Sequence, residues 1–112
     1  MDPILATYGL EIATVELTGR LDAFQAAPLR EILDGHLEVG KTRIIVDLSD
    51  VEFVDSAGLA ALVKSMKEAR ERGGDLRLVS PTNENALRVF ELSRFDKIFT
   101  MADSLADALV NW

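Results

Sequence analysis

Polar and apolar residues alternate between Glu11 and Thr18, with Ala13, Val15 and Leu17 set against Thr14, Glu16 and Thr18. A period of two predicts a strand with one buried face. Residues 4–7 form a shorter β candidate before it, and Tyr8-Gly9 reads as a turn, so the two strands are expected to pair as an antiparallel hairpin. After a connection over residues 19–23 the period lengthens. Leu29, Ile32, Leu33, His36 and Leu37 share one face at helical spacing, which predicts a helix over about 24–39. Pro28 is tolerated near a first turn, so the helix start is expected close to it, and Gly40 is a fitting stop.

Residues 43–48 are nearly all apolar and rich in β-branched side chains. Such a run predicts a central strand covered on both sides. A loop is expected over 49–54. A second helix then begins at Asp55-Ser56-Ala57-Gly58 and runs to about Arg72, with Leu59, Leu62, Val63 and Met66 on one face and Gly73-Gly74 at its end. Residues 76–79 are a further strand. Thr82 is a candidate cap for a helix to about Leu92, residues 97–100 a short strand, and Asp103-Ser104 the start of a last helix to about Val110. The order β-β-α-β-α-β-α-β-α gives an α/β fold with a mostly parallel sheet of four or five strands, an N-terminal hairpin and four helices. Strand–helix–strand units imply right-handed crossovers between parallel neighbours. With no repeat, linker or low-complexity tract, residues 1–112 read as one domain.

Composition narrows the chemistry. The chain carries 12 basic and 19 acidic side chains, a formal charge of −7. That balance disfavours direct binding to nucleic acid or to anionic membrane surfaces. There is no cysteine, which excludes disulfides, thiolate metal sites and cysteine nucleophiles. No stretch approaches the roughly 20 apolar residues of a membrane span, and the first ten residues lack a signal-peptide pattern. A cytoplasmic protein without cofactor or metal is expected.

Ligand sites of open α/β sheets lie beyond the carboxyl ends of the strands. The connections expected there carry Asp22, Asp50, Asp55 and Ser56. Either Ser56 or Asp55 could simply cap the second helix. Leu59 supplies no capping-box partner. Ala57 and Gly58 leave the helix start open, and glycine in a first turn suggests close approach by another group. A phosphoryl group on Ser56 would sit at the positive end of the helix, adding roughly −1.5 to −2 charge beside Asp55. His36, the only histidine, sits at core-facing spacing, and no Gly-x-Ser-x-Gly elbow accompanies Ser56, so a hydrolase has little support. Asp22, Asp50 and Asp55 as an Mg²⁺ site is weaker than their reading as caps and turns. A receiver domain phosphorylated at Asp47 is opposed by the β-β-α opening. Phe24 is either a staple onto the sheet or an exposed partner contact.

Leu17-Thr18-Gly19-Arg20-Leu21-Asp22 resembles the L-T-G-x-L-D segment of STAS domains. Ile45-Val46-Asp47-Leu48 followed by Phe53-Val54-Asp55-Ser56-Ala57-Gly58-Leu59 resembles their third strand and phosphorylation loop, and Phe95-Asp96-Lys97-Ile98-Phe99 their C-terminal motif. The similarity spans nearly the whole chain and is strongest to stand-alone anti-sigma factor antagonists. It implies a non-enzymatic module whose unphosphorylated form binds a kinase-type anti-sigma factor. It further implies phosphorylation at Ser56, reversal by a metal-dependent serine phosphatase, and contact or positioning roles for Asp22, Asp55, Ala57, Gly58 and Leu59. Ala57 and Ala60 depart from the family's more familiar residues, which leaves Ser56 as the one acceptor in the loop and partner identity open. The alternative is a non-switching STAS subunit of a membrane transport assembly, with Ser56 only a cap.

Overall fold

The computed structural model describes residues 4–8, 12–110 and 112. Strand β1 (Ile4–Tyr8) pairs antiparallel with β2 (Ile12–Leu21), and parallel pairing then continues through β3 (Arg43–Val54), β4 (Asp75–Val79) and β5 (Thr100–Ala102). Sheet order equals chain order. The hairpin and the parallel sheet are therefore as expected, with five strands. Tyr8 belongs to β1, and Gly9 lies outside the described residues.

Three helices cover one face of this sheet: α1 (Ala23–Glu38), α2 (Ser56–Glu71) and α3 (Glu84–Leu92). Ala13, Val15 and Leu17 of β2 and Ile44, Val46 and Leu48 of β3 point into that layer. They meet Leu29 and Leu33 from α1, Leu62 and Met66 from α2, and Phe90 from α3, all within one buried cluster. Phe90 also meets Phe99 edge-on, with ring centroids 6.4 Å apart. The opposite face is more thinly covered. There α4 (Leu105–Ala108) and Trp112 pack with Ile45 and Val79 around a smaller cluster. Ile45 is thus buried on the face away from its neighbours, which explains why residues 43–48 read as an unbroken apolar run.

Several boundaries differ from the sequence reading. Residues 19–21 and 49–54 are not connections. They continue β2 and β3 as a paired ribbon, with Thr18 opposite Asp50 and Leu21 opposite Val54. Two register shifts, between Glu16 and Thr18 and between Gly19 and Arg20, each leave β3 with an extra residue. Bulges of this kind break alternation without ending a strand, and Gly19 takes a φ of 80° that favours glycine. Pro28 lies well inside α1, not at its start, because Asp22 caps the helix six residues earlier. Its missing N–H leaves the Phe24 carbonyl without a helical donor, at an exposed residue open to solvent. Asn83, not Thr82, caps α3, while the Thr82 hydroxyl donates to the Ser49 carbonyl at 2.8 Å. Residues 95–97 form a 3-10 turn, and the last strand starts at Thr100.

Candidate functional site

Because β2 and β3 are parallel neighbours, the helices that follow them begin side by side. Each start is capped by an aspartate in extended conformation. Asp22 Oδ1 accepts from the backbone N–H groups of Phe24 (3.0 Å) and Gln25 (3.3 Å). Asp55 Oδ1 accepts from the Gly58 N–H at 2.9 Å. The Asp55 N–H in turn donates to the Leu21 carbonyl at 3.2 Å, which ties one helix start to the other.

These bonds settle which residue caps α2. Asp55 does, and Ser56 is the first helical residue. Ser56 is exposed, and its hydroxyl makes no hydrogen bond to another described residue. Its backbone N–H and that of Ala57 likewise have no acceptor among the described residues. A first-turn serine with a solvent-facing hydroxyl and two open donors beside it is chemically available for an added anionic group.

Gly58 lies beneath Ser56 and is buried. A Cβ added there would stand 2.5 Å from the Leu21 carbonyl oxygen and 2.6 Å from Leu21 Cγ. The close approach expected of this glycine is therefore made by the protein's own β2 strand. Leu59 is only 7% exposed and belongs to the main core. These two residues hold the helix start in place, whereas Asp22, Asp55 and Ala57 are partly exposed around Ser56. Phe24 is 87% exposed, so it is not a staple onto the sheet.

Two further residues of this surface, Arg20 and Phe53, lie in segments that the sequence pattern assigns to connections. Arg20 Nε donates to Asp22 Oδ2 at 3.2 Å, and its guanidinium lies 4.0 Å from the centroid of the Phe53 ring. Arg20 and Phe53 are register partners on the extended ribbon, and Phe53 is 38% exposed. The signal for them was the polar-apolar order of 18–21 and 51–54, hidden by the bulges. Burial works to raise the Asp22 carboxyl. The Arg20 hydrogen bond, the Gln25 and Phe24 N–H groups and the Arg20 charge outweigh it, so Asp22 titrates below the usual carboxylate range.

Among the described residues no three carboxylate or imidazole side chains cluster closely enough to hold a metal ion. Asp50 stands apart on the ribbon, in a shallow hollow with Thr82 and Asn83. His36 is buried on α1, distant in role from the Ser56 surface. Burial first, and the charge of Lys41 second, keep its imidazole below the ordinary value.

The STAS domain family model matches residues 6–108, which include every residue just described. The chain belongs to the STAS domain family. Over 78 residues it is 37% identical to a proposed anti-sigma factor antagonist of Thermotoga maritima, covering 70% of this chain and 68% of that one. Over 88 residues it is 31% identical to the anti-sigma-B factor antagonist of Bacillus subtilis, covering 79% of each. A crystal structure of an anti-sigma factor antagonist from Mycobacterium paratuberculosis superposes with a TM-score of 0.83 at 25% identity, over 95% of this chain and 89% of that one. The STAS fold also relates the chain to SpoIIAA, solved unphosphorylated (TM-score 0.74, 21% identity, 92% of this chain and 90% of that one) and phosphorylated (TM-score 0.74, 22% identity, 95% and 96%). No described helix is long and apolar enough to cross a membrane.

Proposed function

We propose that this STAS domain is an anti-sigma factor antagonist whose unphosphorylated form binds a kinase-type anti-sigma factor, and that phosphorylation of Ser56 ends the binding. The observation that carries the proposal is the exposed Ser56 hydroxyl in the first turn of α2, with the capping role already taken by Asp55. The names of the relatives support the binding role, and the fold shared with a protein solved in both phosphorylation states supports the switch.

In this reading the kinase transfers the γ-phosphoryl group of ATP to Ser56 Oγ, releasing ADP. The product gains roughly −1.5 to −2 charge next to Asp55. It stays folded, because an anion at a helix N-terminus is favourable by about 0.3–1 kcal/mol. The cost falls on the complex. Asp22, Phe24, Asp55 and Ala57 supply the contact surface, and Gly58 and Leu59 position it from below. A partner shaped to the neutral hydroxyl would face an uncompensated charge, and a metal-dependent phosphatase would restore the surface by hydrolysis. The protein would act in the cytoplasm and perform no chemistry itself.

Incubation with the cognate anti-sigma kinase and ATP, followed by mass spectrometry, should place one phosphate on Ser56 and none on the Ser56→Ala variant. Ser56→Asp should bind the kinase at least about tenfold more weakly than Ser56→Ala. Equal affinity of the two variants, or phosphate at another residue, would sink the switch. Recovery of a membrane transport complex in place of a soluble ATP-binding partner would redirect the assignment to the non-switching STAS subunit.

A further inference from the structure

Below Ser56, α2 forms one wall of an apolar groove of about 550 Å³. Leu59, Val63 and Phe95 make its floor, and Ala60 leaves it open midway. Val63 and Phe95 are half-buried and packed against the main core, so this floor is fixed. Ser93 closes the far side. Its hydroxyl donates to the Val89 carbonyl at 2.7 Å, and the chain turns there through Arg94 at a φ of 62° to bring Phe95 back against α2. The groove follows α2 from Ser56 to Lys67, twelve residues spanning about 16 Å of helix.

Its charge is the reverse of the protein's. The chain carries −7 overall, yet the groove contains Lys64 and Lys67 and no carboxylate. Both lysines are exposed, and neither makes an ion pair with a described residue. Elsewhere Arg20, Arg30 and Arg70 are each matched to an acid. An apolar channel with two uncompensated ammonium groups at one end is complementary to a molecule with an apolar tail and an anionic head.

We propose that this groove binds a free single-chain amphiphile of the fatty-carboxylate class. The tail lies along Leu59, Ala60, Val63 and Phe95, and the carboxylate lies between Lys64 and Lys67. The volume falls within the range of small-molecule sites, which are likewise mostly apolar with a few placed polar groups. A bilayer is the poorer occupant, because the chain as a whole carries a formal charge of −7 and would be repelled by an anionic membrane surface. The inference does not depend on Ser56 being phosphorylated.

Titration of the full chain with dodecanoate below its micelle concentration tests it, by calorimetry and by amide NMR shifts. Saturable one-to-one binding is expected, with the largest shifts on residues 59–67 and 93–95. The Lys64→Gln/Lys67→Gln double variant should weaken binding roughly fivefold or more, and dodecanol should bind more weakly than dodecanoate. Ala60→Trp, which fills the channel from an exposed position, should abolish binding while the NMR spectrum stays that of a folded protein. Absence of saturation, shifts centred elsewhere, or affinity indifferent to the lysine substitutions would each overturn the proposal. So would co-sedimentation with anionic phospholipid vesicles in the absence of dodecanoate binding, which would make the groove a membrane contact.

Discussion

Gly58→Ala adds a single methyl group at the point where α2 touches the end of β2. Ordinary helical sites gain up to about 0.8–1 kcal/mol from such a change, since glycine is the poorer helix former. Here the new Cβ would lie 2.5 Å from the Leu21 carbonyl oxygen, 2.6 Å from Leu21 Cγ and 3.1 Å from the Leu21 carbonyl carbon. Ordinary contact begins near 3.4 Å, so the overlap is close to 1 Å and two of the three neighbours are backbone. A rotamer change at Leu21 relieves only the Cγ contact. The rest requires α2 to back away, which stretches the Asp55–Leu21 hydrogen bond of 3.2 Å. Overpacking of this sort costs about 1–3 kcal/mol, enough to reverse the sign of the propensity gain.

Gly35 provides the comparison within the same molecule. It also sits inside a helix, but an added Cβ there meets nothing within 4 Å. Gly35→Ala should therefore stabilise by up to about 1 kcal/mol. Urea denaturation of both variants should separate them by about 2 kcal/mol or more. At an m-value of about 1–3 kcal/mol/M this is roughly 1 M in midpoint. A Gly58→Ala midpoint equal to or above that of Gly35→Ala would refute the close-packing account of the Ser56 loop. The kinase assay adds a second readout, because a displaced helix start should slow phosphorylation of Ser56, whereas Gly35→Ala should not.

Asp55→Ala removes the cap of α2 and should lower stability by about 1 kcal/mol in the same denaturation assay, while Ser56→Ala, which removes no cap, should change it by less than about 0.5 kcal/mol. Phe24→Ala should also leave stability nearly unchanged, since the ring is exposed, but should weaken binding to the anti-sigma partner by roughly fivefold or more if the ring anchors that contact. His36 should titrate by NMR with a midpoint below 6.5, its ordinary value. The unfolded chain then binds the extra proton, so this group's contribution to stability is complete above about pH 6.5 and declines as pH falls toward the folded-state midpoint. A midpoint at or above 6.5 would show that buried His36 is held in its charged form.

Much of this arrangement was legible because it repeats along the chain. The alternation of Ala13, Val15 and Leu17 and the helical spacing of Leu59, Leu62 and Met66 each report a single buried face, and the structure buries those faces. The bulged ribbon was not legible. Asp50 and Glu52 interrupt the apolar pattern of β3, and only pairing with β2 keeps those residues in a strand. Pro28 misled for a related reason. It limits one hydrogen bond, but the start of α1 is decided by the Asp22 carboxylate and by Leu29 and Leu33 in the core.

The Ser56 loop shows the same division between local and tertiary information. Asp55 and Ser56 are both good cap residues, and nothing in their order selects between them. The choice is made by the extended ribbon, which delivers the Leu21 carbonyl to the Asp55 N–H and so fixes the backbone in the extended conformation a cap requires. With Asp55 held there, its carboxylate reaches Gly58 and the next residue must be the first of the helix. The same ribbon forbids a side chain at Gly58. The exposure of the Ser56 hydroxyl is therefore a consequence of β2–β3 pairing, and substitutions in the ribbon that never touch Ser56 should alter its accessibility.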